Sequence, residues 1–487
     1  MGGAAAYFFL RMKDVIKKSY REERMHDSGF QRSSSRLRRG AARVKSGHPL
    51  NMKFSPEPIS LPKHKSRDPM LWGVVGYLSL FIIRPFEYWE WLGEWHIERV
   101  YMICLLIAIV LWKGKRYVHH PINNAFIAFF LVMCFSIIIA YKPAAAIWEV
   151  EEYFKLLVLY FVIILTVRDE EDFRVLIISF IAITGIYVGK SLWEFIVHGR
   201  HVYRMGISRL VGIDQTYNDP NTFAATIVYS LPFAWALWKS ENSKWMGRGL
   251  IGYGAMCIVA IMFTGSRSGM ISFLFFLSLI WMKNQKKVFG LVLLVVGLFS
   301  IWQFMPGEYK ERYFTILDDS ISATATESAQ GRIEGLKNGF KLFANSPFFG
   351  WGAGNFIHAV ETIGVFNRLQ SHNLYGQLMA DLGFLGIVPF FAICWLIYRT
   401  YRKILRASSS LIKGGLEPRP NFISAVSSAC LNTMLLLLFQ GNFGHNLYRY
   451  TWLVIGAILV LGQSLISKKC VAAARPPIFK LVRTKKH

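Results

Sequence analysis

The residues most able to do chemistry are a histidine and three arginines in polar stretches between apolar runs. Ser371-His372-Asn373 closes a long polar segment and opens an apolar one at 374–386, so His372 is expected where water meets a membrane. An imidazole titrates near neutrality and can accept a proton from a hydroxyl. The plainer role for such a histidine is to cap the helix behind it. Asn373, Gln377 and Asp381 follow at four-residue spacing, and Asp381 lies inside the apolar run, where an ionisable group is costly and more often functional than decorative. Gly383 and Gly386 fall on the helical face of His372 and predict close approach of a neighbouring helix. Arg209 precedes Asn218-Asp219-Pro220-Asn221, Arg267 stands at a hairpin tip in 264–269, and Arg332 opens a helical stretch at 331–342. Guanidinium groups hold phosphate oxygens bidentately and stay ionised, which suits a diphosphate at headgroup level. Their alternative is to snorkel and pair with headgroups.

The elements that must position these groups are membrane helices. The chain of 487 residues is 53% hydrophobic and 15% aromatic, with a mean hydropathy of +0.33. Continuous apolar runs of roughly 17 to 25 residues recur, long enough to cross a bilayer as helices. They do not alternate, which argues against a barrel and for an all-α polytopic protein. We read about twelve transmembrane helices between 70 and 467, with the fourth at 153–167, the ninth at 288–306 and the tenth carrying His372. Glu149, Glu151 and Glu152 are expected in an outside loop, 399–421 in a cytoplasmic loop, and 307–371 in a long extracytoplasmic loop. Its 346–354 stretch reads as a glycine-rich turn.

The net charge of +26 concentrates in the tails and alternate loops, as the positive-inside rule requires. This leaves no reason to expect nucleic acid as a partner, and makes membrane lipids the natural one. Residues 1–69 and 468–487 read as basic cytoplasmic tails, the first of them disordered, with Met70 an alternative start. The six cysteines show neither metal spacing nor a plausible pair. Asp318-Asp319 is the one outside acid pair near the long loop and is expected to be solvated, so neither a metal nor another cofactor is anticipated. His445-Asn446-Leu447-Tyr448 repeats the sequence of 372–375, but Leu459 stands where the second glycine would be, and His445 is expected in a capping or core role.

His372-Asn373 with Gly383 and Gly386, Arg209-Leu-Val-Gly with 218–221, the 264–269 hairpin, and 331–356 together resemble the bacterial O-antigen ligase family. That family also includes polysaccharide polymerases and protein O-oligosaccharyltransferases. The resemblance implies a metal-independent inverting glycosyltransferase of C-type membrane architecture in the bacterial inner membrane. Both termini would be cytoplasmic and the active site periplasmic. It implies a glycan donor on undecaprenyl pyrophosphate and an acceptor that is lipid A core, a polysaccharide or a protein. His372 would act on the acceptor hydroxyl, and Arg209, Arg267 and Arg332 would hold the pyrophosphate, supported by Asn373, Asp381 and Asn221. A transporter or flippase for a lipid-linked or anionic solute is the competing reading, since Lys155, Lys190, Glu194 and Asp381 are polar groups within or near apolar runs.

Overall fold

The computed structural model describes residues 69–214, 219–241, 243–282, 303, 305–314, 323–366, 370–415 and 421–474. Residues 62–469 group as one compact unit, and outside it only 470–474 are described, as the end of the last helix.

The first unit opens with α1 (Pro69–Ile83), α2 (Ile97–Leu111), α3 (Pro121–Ser136), α4 (Pro143–Thr166) and α5 (Glu170–Val197). A two-stranded antiparallel hairpin follows, β1 (Val202–Arg204) and β2 (Ile207–Arg209), pairing Val202 with Arg209. Next come α6 (Pro220–Ser240), α7 (Lys244–Thr264), α8 (Arg267–Met282), α9 (Gly307–Phe314) and α10 (Ala323–Asn345). The chain ends with α11 (Leu374–Lys413), α12 (Phe422–Gln440) and α13 (Tyr450–Ala474). The protein is thus a polytopic helical membrane protein. Six described helices are long and apolar enough to cross a bilayer: those at Pro69–Tyr88, Glu170–Val197, Lys244–Thr264, Leu374–Lys413, Phe422–Gln440 and Tyr450–Ala473. Pro121–Ser136 and Arg267–Met282 are shorter apolar helices. The expected ninth span, the pair Asp318-Asp319, and the first tail up to residue 68 lie outside the described residues.

Helix packing places the site. α12 lies against α6, while α3 and α10 both pack on α11. In hydrocarbon such packing depends on close van der Waals fit rather than on expelling water, so small residues mark the seams. A Cβ on Gly456 of α13 would come within 2.5 Å of Phe126 on α3. The seam beside His372 is built the same way from α10: a Cβ on Gly335 would fall 1.9 Å from the Ser371 carbonyl oxygen, and one on Gly339 would fall 2.5 Å from Gly376 Cα.

The structure corrects several expectations. Gly383 does not serve a helix seam. It adopts φ 56° and ψ −154° and breaks α11 in its first third, a conformation open essentially to glycine alone. The break frees backbone groups that the 346–352 turn takes up. Trp351 N donates to Ala380 O at 2.8 Å and Gly352 N to Asp381 O at 2.9 Å, while Phe384 N donates to Pro347 O at 2.8 Å. His372 is not on the helix face either; it precedes the N-cap in a left-handed conformation, φ 43°. The fourth helix begins at Pro143, ten residues before the expected start at 153, because proline is favoured in a first turn. Glu149, Glu151 and Glu152 are therefore helical and not in a loop. α11 runs on to Lys413 through the residues expected as a cytoplasmic loop. The β hairpin was not anticipated.

Candidate active site

Two chambers meet at His372. The smaller, about 380 Å³, is bordered by Arg204, Arg209, Arg332, Arg449, His372 and His445, with Asp219 its one acidic wall residue among the described residues. The larger, about 840 Å³, is bordered by Glu149, Glu152, Trp148, Phe356, Gln377 and Tyr448 among others. Arg204, Asp219, Thr222, His372, His445 and Arg449 border both.

Arg209 reaches the wall from β2, whose continuation is pinned by Leu210 N donating to Phe263 O at 2.9 Å. The side chain is only 1% exposed. Its Nε donates to Thr264 O at 2.7 Å and its Nη2 to Asn221 Oδ1 at 3.1 Å. The same Asn221 oxygen accepts from Ser266 Oγ at 2.8 Å. One amide therefore ties β2, the start of α6 and the α7–α8 turn together. Burial, with Arg312 adding like charge, brings the Arg209 pKa down to about 10, so the group stays charged at neutral pH. Arg332 stands at the wall from α10, its guanidinium 5.6 Å from the Phe443 ring centre. Arg267 is placed differently from the other two: it opens α8, is 8% exposed, and borders neither chamber.

His372 is held from both sides. Ser371 is wedged against Gly335, and Asn373 caps α11 by accepting from Tyr375 N at 3.0 Å and Gly376 N at 2.9 Å. Leu374 N donates to Gly441 O at 2.6 Å, tying this start to the end of α12. Capping therefore falls to Asn373, and the imidazole is left open to the chambers. The ring opens onto the cavity but is recessed from bulk water. That recess lowers its pKa, Asp219 raises it, and Arg332 and Arg204 lower it again.

His445 joins His372 at the junction, its ring centroid 5.5 Å away. Burial, then His372 and Arg449, bring its pKa down to about 4. Its neighbour Asn446 donates to Tyr229 Oη at 3.1 Å and Leu437 O at 2.8 Å. Arg449 donates to Thr226 Oγ1 at 3.1 Å. The sequence reading did not select Arg204, Asp219, His445 or Arg449 for the site. The repeated His-Asn-Leu-Tyr was the available signal for His445.

Asp381 is fully buried and serves the glycine-rich turn. Its oxygens accept from Phe356 N at 2.9 Å, Gly354 N at 3.1 Å and Tyr448 Oη at 3.0 Å. Gly350, Gly352 and Gly354 all have positive φ (71°, 102° and 69°), which lets the turn fold back onto the break in α11. No group of three or more His, Cys, Asp or Glu side chains suited to a metal occurs among the described residues.

With this geometry in place, comparison with known proteins adds two findings. Residues 252–391 match the model of the O-antigen ligase family. The chain is also 31% identical over 136 residues to the teichuronic acid biosynthesis protein TuaE of Bacillus subtilis (strain 168). That alignment covers 26% of this chain and 26% of the relative, so the chain spans about a quarter of the length of the curated relative it matches. The matched segment contains Arg267, Arg332, His372, Asn373 and Asp381, whereas Arg209, Asn221, His445 and Arg449 lie outside it.

Proposed function

We propose a reaction for this chain, which belongs to the O-antigen ligase/polymerase-like family through residues 252–391. It moves a glycan from a lipid pyrophosphate to an acceptor hydroxyl at the membrane surface, in the assembly of a surface polysaccharide. The observation that carries this reading is the smaller chamber, where four arginines surround a space that opens on His372.

The steps follow from charge. Arg204, Arg332 and Arg449, with Arg209 behind them, hold the diphosphate oxygens. They favour the charge that grows on the pyrophosphate as the bond from sugar C1 to phosphate oxygen breaks, the leaving oxygen keeping the electron pair. The acceptor oxygen forms its bond to C1 from the opposite face, inverting that centre, and its proton passes to His372. The imidazolium then returns that proton to solvent. Twelve crossings, cytoplasmic termini, a periplasmic site in the bacterial inner membrane, an undecaprenyl carrier and independence of metal ions belong to the same proposal. The acceptor is lipid A core, a polysaccharide or a protein.

The test uses purified protein in lipid, an undecaprenyl-pyrophosphate-linked glycan and each candidate acceptor, with and without chelator. Transfer that survives chelator and disappears in His372→Ala is expected, and mass analysis of the product names the acceptor. Movement of the donor between leaflets without transfer would replace this reading with a flippase.

A further inference from the structure

Helix α9 borders neither chamber, yet it fastens the strand that brings Arg209 to the smaller one. Tyr309, Arg312 and Tyr313 share one face of it, at the i, i+3, i+4 spacing of neighbours on a helix. All three donate to backbone carbonyls of other elements. Tyr309 Oη donates to Ser208 O in β2. Tyr313 Oη donates to Ile261 O and Met262 O, both at 3.1 Å, and Arg312 Nε donates to Gly265 O at 2.6 Å. A helix leaves its last four carbonyls without intrahelical partners and gathers partial negative charge there. At the end of α7 those carbonyls are divided between two neighbours. Tyr313 takes Ile261 and Met262, while Leu210 N donates to Phe263 O and Arg209 Nε to Thr264 O. The end of α7 thus receives both Arg209 of the chamber wall and, one carbonyl further on, Arg312 of α9.

Arg312 also reaches the tip of the hairpin. Its Nη2 lies 3.1 Å from the Sδ of Met205, which follows Arg204 in the turn between the strands and borders the smaller chamber. Met205 has φ 59°, a left-handed conformation uncommon for a residue with a side chain, and the Arg312 contact helps to hold it. The apolar part of the brace is the buried cluster of Ile207, Met262, Met305, Tyr309 and Tyr313. Burial, with Arg267 adding like charge, brings the Arg312 pKa down to about 10, so it stays a charged donor at neutral pH. An arginine set in place beforehand loses less freedom when phosphate binds than one that must be ordered then. We propose that Arg312 is a positioning residue for the donor diphosphate: it fastens the hairpin tip to the end of α7 and so keeps Arg204 and Arg209 at the chamber wall. This inference rests on the transferase reading and adds to it a residue that lies outside the chamber.

The test uses the full chain in lipid nanodiscs with the undecaprenyl-pyrophosphate-linked glycan as donor. Arg312→Met, which removes the donors and keeps an unbranched side chain, is expected to raise the donor KM by about tenfold, the scale of one charged hydrogen bond. The acceptor KM stays where it was, and Arg312→Lys, with its charge but a single donor end, recovers part of the loss. Tyr309→Phe, a milder change in the same brace, raises the donor KM by about threefold and decides the matter if Arg312→Met does not fold. An unchanged donor KM in the folded variants overturns the proposal, as does an equal rise in both constants, the mark of general disturbance. If the wild type neither transfers the glycan nor releases pyrophosphate, the transferase reading fails by itself. Inorganic pyrophosphate then judges the brace alone, by titration calorimetry beside hydrogen exchange. Weaker binding in Arg312→Met with faster exchange across 202–210 supports it; equal binding, equal exchange or no binding by the wild type overturns it.

Discussion

The rings of His372 and His445 lie at the junction of the two chambers with centroids 5.5 Å apart and planes inclined by 53°. Each begins a His-Asn-Leu-Tyr segment, and each segment follows or precedes a helix end that the other supports: Leu374 N donates to Gly441 O, and Tyr448 Oη donates to Asp381. The pair is neutral at neutral pH, as a proton acceptor must be.

This sets the pH dependence of transfer. The His372 pKa is lowered from 6.5 by burial, so the ring remains an available base below pH 6.5 and loses that role as pH falls through its lowered pKa. The acid limb of kcat/KM is therefore expected below pH 6.5. Asp219 favours the imidazolium, so Asp219→Asn, which preserves an N-cap side chain, should move the limb to still lower pH. A limb that stays in place in the variant would remove Asp219 from the site's electrostatics.

Arg332 and Arg267 separate cleanly by position. Arg332→Ala should raise the donor KM by about tenfold or more, the scale of a lost charged contact to phosphate, and leave thermal stability little changed. Arg267→Ala removes a buried residue at the start of α8 that borders neither chamber. It should lower Tm, with loss of activity following loss of folded protein. Steady-state kinetics beside thermal unfolding in detergent would distinguish the two, and a normal Tm with a raised donor KM in Arg267→Ala would bring that residue back to the pyrophosphate.

Gly383→Ala should be among the most damaging small substitutions in the chain. The backbone there is in a region that costs other residues about 1–3 kcal/mol, and the added Cβ would lie 2.7 Å from Gly350 N and Pro347 O. Gly252→Ala on α7, where a Cβ meets nothing within 4 Å, should leave Tm unchanged or raise it. Equal melting of the two variants would show that the break in α11 is not required.

Asp381→Asn replaces an acceptor of three hydrogen bonds by a group that must point two donors at the same neighbours. A loss of about 1–3 kcal/mol is expected, felt first in the 350–356 turn. Hydrogen exchange at the Gly354 and Phe356 amides should rise sharply, and Tyr448→Phe, which removes one of the three bonds, should show a smaller increase. Unchanged protection in Asp381→Asn would assign the turn's stability to its contacts with the α11 break alone.

Composition and apolar run length were enough to identify a helical membrane protein, because spanning helices are written locally in about 20 consecutive apolar residues. The His-Asn pair, Arg209 with Asn221, and Arg332 were selected as candidates from the sequence because their residue types and neighbours form short motifs. Helix ends were less so. Pro143 and the extension to Lys413 depend on how turns and charged residues pack beyond an apolar run, and hydropathy does not register that.

What only the tertiary structure decided is which distant residues share a wall. His445 and Arg449 reach His372 across more than 70 intervening residues, and Glu149 and Trp148 come from a helix still further away in the chain. Arg267 carries the same charge as Arg332 but sits buried at the start of α8 and borders neither chamber. Gly383 looked like a packing residue because its spacing from His372 matched a helical period. Its backbone turns out of the helix because the 346–352 turn supplies partners for the groups that the break exposes. Local sequence determines where a chain can form helices; the matching of backbone donors and acceptors between distant segments decides where those helices break and which side chains meet.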